Sequence, residues 1–133
     1  MRVRGLLEYL GTSWAGWQLQ PGQPTVQGEL ERALSIVLNT QVRVFASGRT
    51  DAGVHARAQV AHVDLTRPFS NQGLVFGTNH RLPRAVRVLA ARLAPEGFHA
   101  RFSATAKEYA YGIHPGRLAP PDLAPFVLVV PDR

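Results

Sequence analysis

Asp51 is the side chain in this sequence best placed for covalent or acid–base chemistry. It sits in Phe45-Ala46-Ser47-Gly48-Arg49-Thr50-Asp51-Ala52-Gly53-Val54-His55-Ala56, between two apolar strand-like runs. Gly48, Ala52 and Gly53 leave open space around the carboxylate and allow turn conformations that bulkier residues resist. A flat ligand fits such a space beside the carboxylate. Arg49, two positions earlier, shares a face with Asp51 in an extended segment. Its guanidinium can keep a neighbouring carboxylate ionised and can grip a phosphate through paired hydrogen bonds. The competing interpretation is structural, because Asp before Ala-Gly is ordinary turn chemistry.

Other side chains suggest chemistry less strongly. His55, His62 and Asp64 invite a metal site. The histidines are seven positions apart and no carboxylate cluster joins them, so His62 is expected to hydrogen-bond within a sheet, and no metal is expected. Tyr109 and Tyr111 alternate with Ala110 as on one strand face, a pattern that usually means core packing with hydroxyls at the rim. Gly11-Thr12-Ser13-Trp14-Ala15-Gly16-Trp17 has glycines near phosphate-loop spacing. Trp17 stands where that loop needs Lys, which excludes nucleotide binding. Both tryptophans are expected at the edge of a core.

These residues need a scaffold, and the hydrophobic pattern supplies one. Arg2 to Leu10 alternates with Val3, Leu7 and Tyr9 inward. Thr25 caps a helix whose stripe is Val26, Leu30, Ala33, Leu34 and Val37, stopping at Asn39. Gln41 to Ala46 and Ala58 to Leu65 read as the strands flanking Asp51, Asn71 to Leu82 as helical before Pro83, and Val86 to Leu93 as a further strand. The order implies an α+β fold, a mainly antiparallel sheet of about five strands with helices packed on one face. A chain of 133 residues, 45% hydrophobic, is one domain with a real core. The net charge is +6, and every basic residue except Lys107 is Arg, which favours nucleic acid over a membrane surface. Arg81, Arg84, Arg87 and Arg92 form the densest basic stretch, with Arg87 and Arg92 expected on a solvated surface. The absence of Cys fits a reducing compartment, and no apolar run reaches membrane length; a soluble cytoplasmic protein is expected.

The run GRTDAGVHARAQVAHVD, Gly48 to Asp64, resembles the signature of the tRNA pseudouridine synthase A family. YLGTSWAGWQLQP, TVQGELERAL, GTNHRLP and the segment Phe98 to Tyr111 are similar to further family motifs, with Leu10 and Ala110 departing from an Asp and a basic residue common there. The resemblance, spanning about Leu6 to Ile113, implies a ferredoxin-like synthase half-domain over residues 1–115 and a Pro-rich connector over 116–133. It implies Asp51 as the catalytic nucleophile and Tyr109 as the tyrosine that meets the target base, with Arg49 available for a substrate phosphate. It further implies tRNA as partner, uridines of the anticodon stem-loop as substrate, a homodimer, and no cofactor. Family members are about twice as long and carry a second half that supplies a basic partner for the nucleophile. A half-domain that binds RNA without catalysis is therefore the alternative. An Asp-dependent glycosidase is disfavoured, since those enzymes generally use two carboxylates.

Overall fold

Apolar residues at alternate positions along β1 (Arg2–Tyr9) place Val3, Leu7 and Tyr9 in the core and leave Arg4 and Glu8 exposed. In the computed structural model, which describes residues 1–116 and 118–130, β1 is a central strand. It pairs antiparallel with β3 (Ala56–Asp64) on one side and β4 (Val86–Leu93) on the other. β2 (Val44–Ala46) pairs antiparallel outside β3, giving the order β2-β3-β1-β4. With α1 (Val26–Leu38) between β1 and β2 and α2 (Asn71–Arg81) between β3 and β4, this is the ferredoxin-like arrangement. The register of β1 slips between Leu7 and Tyr9 against β3, and between Leu6 and Leu7 against β4. Such irregularities bend and twist a strand, here at the end that leads toward Asp51.

Thr25 caps α1 as the sequence predicts, its hydroxyl accepting the Gly28 N–H at 3.1 Å. Asn39 ends the helix in the left-handed region, at φ 51°. Val26, Leu30, Ala33, Leu34 and Leu38 form the buried stripe. Each large aliphatic side chain buried this way contributes roughly 1.5–3 kcal/mol relative to leaving it in water. α2 is capped by Ser70 and adds Leu74 and Thr78. Arg32 joins the helices, pairing with Glu29 at 2.7 Å and donating to the Arg81 carbonyl at 2.9 Å. Both helices cover one sheet face through a core that includes Val3, Leu7, Val44, Ala61, Val63 and Val86. A cavity of about 40 Å³ inside this core is lined by Leu7, Leu34, Ala61 and Leu74; it is a packing void away from Asp51.

The other face is covered at one point. His62 is buried there, stacked on Phe45 with ring centroids 5.1 Å apart and edge-on to His99 at 4.5 Å. Its Nδ1 accepts the Ala100 N–H at 3.0 Å.

Several elements differ from the sequence pattern. β2 starts at Val44 instead of Gln41, because β3 ends at Asp64 and leaves Gln41 and Val42 no strand to pair with; the Val44 N–H goes to the Glu31 carboxylate at 3.0 Å. β3 starts at Ala56, before the expected Ala58. Tyr109 and Tyr111 do not lie on a strand: residues 104–111 carry no regular structure, and both tyrosines are exposed, not packed. A strand needs a neighbour for its backbone groups, and neither sheet supplies one there. Four strands form the main sheet, while β5 (Gly112–Pro115) and β6 (Val127–Val130) make a separate parallel pair.

Candidate active site

The Asp51 loop joins β2 to β3, and the turn that follows β1 holds it in place. Trp17 donates its N–H to the Thr50 carbonyl at 3.0 Å, and Gly53 donates to the Trp14 carbonyl at 3.3 Å. Such close backbone approach requires residues without side chains. Gly16 has φ +100°, and a Cβ on it would stand 2.7 Å from the Thr50 oxygen. A Cβ on Gly11 would overlap the Val54 carbonyl. The glycines of Gly11–Trp17 therefore serve loop packing, a role their resemblance to a phosphate loop conceals. Trp14 packs partly against the core, as expected, whereas Trp17 is buried within it.

A buried polar group fixes the start of the loop. The Gln59 amide donates to the Gly48 carbonyl at 2.7 Å, and its oxygen accepts from the Ser47 hydroxyl at 3.0 Å. The Tyr9 hydroxyl meets the Thr50 hydroxyl at 2.8 Å. Burial raises the Tyr9 pKa, with the Thr50 and Gln59 hydrogen bonds pulling the other way, so the phenol stays protonated and available for that bond.

On this base Asp51 is exposed, open to a ligand. Its carbonyl accepts the Val54 N–H at 3.1 Å, closing the turn. Arg49 is also exposed, but its guanidinium does not pair with Asp51: among the described residues the ion pairs are Arg2–Asp64 and Arg32–Glu29. Arg49 thus remains available to an external anion.

Lys107 links the Phe98–Tyr111 segment to the Asp51 loop through its side chain. Its ammonium nitrogen lies 3.1 Å from where a Gly48 Cβ would be, three residues before Asp51, and Tyr109 follows two residues later, 64% exposed. Lys107, two residues before Tyr109, thus reaches Gly48 at the start of the Asp51 loop with its side chain. His62 and Asp64 belong elsewhere. Burial, with help from the Arg2 and His99 charges, depresses the His62 pKa to about 4, so the ring is neutral and committed to Ala100. Arg2 holds Asp64 with contacts of 2.8 and 3.1 Å and lowers its pKa. Among the described residues no group of three His, Cys, Asp or Glu side chains is arranged to hold a metal. The supporting roles of Tyr9, Gln59, Gly11 and Gly16 have no signature in isolated sequence; repeated small and polar residues at strand ends were the available signal.

A family model described as tRNA pseudouridine synthase matches residues 6–103, which include the whole Asp51 loop and its supports. The chain belongs to the tRNA pseudouridine synthase family. It is 48% identical over 114 residues to the tRNA pseudouridine synthase A of Coxiella burnetii (strain Dugway 5J108-111), a match covering 86% of this chain and 44% of that relative. The same-named protein of Chlorobaculum tepidum is 48% identical over 119 residues, covering 87% and 48%. That of Rhodopseudomonas palustris is 50% identical over 113 residues, covering 84% and 46%. The chain thus spans about half the length of the curated relatives it matches. Tyr109 lies beyond the span of the family model. Among the described residues no helix is long and apolar enough to cross a membrane.

Proposed function

We propose that this chain is the nucleophile-bearing part of a tRNA pseudouridine synthase that converts uridine to pseudouridine in the anticodon stem-loop. The observation that supports this most is an exposed Asp51 on a loop braced on both sides, inside the stretch that matches the family. The reaction breaks the bond from uracil N1 to ribose C1′, turns the base, and joins C5 to C1′. The proton on C5 is lost and N1 gains one, so the product is an isomer and no redox partner enters. Asp51 is the nucleophile, adding to C1′ or to the uracil ring and dividing one hard step into two.

The target uridine must first leave its stack, at a cost of roughly a few kcal/mol. Tyr109 stacks on the extruded uracil, and its hydroxyl serves the late proton transfer from C5. Arg49 holds a neighbouring phosphate. Residues 1–115 act as the synthase half-domain, and 116–133 lead toward a second half comparable to the rest of the longer relatives, which contributes the basic partner and closes the cleft. The working enzyme is a cytoplasmic homodimer that uses no cofactor.

Tritium release from tRNA labelled at uridine C5 tests this reading. Asp51→Asn is expected to reduce release by at least about a thousandfold while retaining tRNA binding. Substantial turnover in that variant would refute the nucleophile assignment. Tight tRNA binding with no release by the unsubstituted chain favours the alternative, a half-domain that binds RNA without catalysis.

A further inference from the structure

His55 lies four residues beyond Asp51 and takes no part in the reaction just described. Both its ring nitrogens are nevertheless engaged, each by a different part of the chain. Nδ1 accepts the Gly11 N–H at 2.8 Å, and Nε2 stands 2.7 Å from the Pro125 carbonyl. An imidazole whose Nδ1 accepts carries its proton on Nε2, which makes the second contact a hydrogen bond donated to Pro125. The Phe126 ring packs on the same imidazole, with centroids 4.9 Å apart.

The two contacts join regions that no other described side chain connects in this way. Gly11 begins the turn after β1 and is where the loop comes closest, against Val54. Pro125 and Phe126 run directly into β6, which pairs with β5, and β5 begins one residue after Tyr111. We infer that His55 is a positioning residue, clamping the Asp51 loop to the end of β1 through Gly11 and tying that loop to the tail through Pro125 and Phe126. The inference rests on Asp51 being the nucleophile. A neutral imidazole suits the task because it offers one acceptor and one donor at opposite edges of a rigid ring. Displacing a nucleophile by about 1 Å can cost on the order of a hundredfold in rate.

His55→Ala, His55→Asn and His55→Gln separate the two contacts, since Asn places an oxygen near Nδ1 and Gln an amide donor near Nε2. His55→Ala is expected to lower kcat about a hundredfold with KM changed less than about threefold. Asn should restore most of kcat and Gln should not. Amide exchange read by NMR gives a measure that is independent of activity: Gly11 loses protection in Ala and Gln and keeps it in Asn, while residues 126–130 lose it in Ala and Asn and keep it in Gln. The contrast between Asn and Gln carries the test even where Ala unfolds the chain. Should the unsubstituted chain show no isomerisation dependent on Asp51, the non-catalytic alternative is favoured, and the exchange pattern still decides whether His55 makes the clamp. The inference is overturned if Asp51-dependent turnover is present and His55→Ala keeps its kcat, or if Gly11 exchanges equally in all four proteins.

Discussion

The Asp51 loop and the Tyr109 segment, linked by the Lys107 side chain at Gly48, are built in opposite ways. Backbone bonds to the turn after β1, the Gln59 amide and the Tyr9–Thr50 pair brace the loop. The Tyr109 segment has no strand partner and reaches the loop through the Lys107 stem. A nucleophile must sit within a fraction of an ångström of its target carbon before the reaction starts, so rigidity there lowers the barrier. A stacking residue needs to follow a base that arrives from outside, and a segment without ladder hydrogen bonds can do so at little energetic cost. On the proposed function, braced loop and unpaired segment answer different demands of one reaction.

That contrast can be broken most severely at the rigid side. Gly11→Ala forces a methyl into the Val54 carbonyl, so it should destabilise the fold by about 1–3 kcal/mol and lower turnover about a hundredfold, measured by urea unfolding and tritium release. On the adaptable side the two effects should come apart. Tyr109→Ala should remove roughly 1–3 kcal/mol of base stacking yet leave stability within about 0.5 kcal/mol, because its side chain is mostly exposed. Tyr109→Phe should keep the stacking and isolate the hydroxyl. Full activity in Tyr109→Ala would show that the segment is only a linker.

Two smaller effects sharpen the comparison by acting away from both regions. Folded His62 has its pKa depressed from 6.5 to about 4, so the unfolded chain binds this proton more readily. The His62 contribution to stability is therefore complete above pH 6.5 and declines as pH falls from 6.5 toward 4. Urea midpoints across that range should show the decline, and His62→Asn, which keeps an acceptor for Ala100, should lose this component. Thr25→Ala removes the α1 cap and should cost about 1 kcal/mol without altering kcat.

Much of the scaffold was legible in the sequence. The Thr25 cap and Asn39 stop of α1, most of its stripe (Leu38 is buried where the pattern predicts Val37, which is only partly buried), and the inward set Val3, Leu7 and Tyr9 follow from local periodicity. Local pattern failed where an element depends on a distant neighbour. Gln41 and Val42 look like strand and are not, because β3 ends too soon; Tyr109 and Tyr111 alternate as on a strand but find no edge. The same limit hid what braces the site. Gly11 and Gly16 are far in the chain from His55 and Gln59, and their purpose appears only once β1 and β3 lie side by side.

From the sequence alone came the helix stripe, the half-buried strands and a singular carboxylate among small residues, because these depend on side-chain type and spacing over a few positions. Tertiary structure alone decided that Asp51 stands without Arg49 as an ion-pair partner, that His62 turns inward to Ala100, and that His55 faces both Gly11 and Pro125. The physical reason is that hydrogen bonds and steric limits between remote backbone segments exist only after the sheet has set their separation.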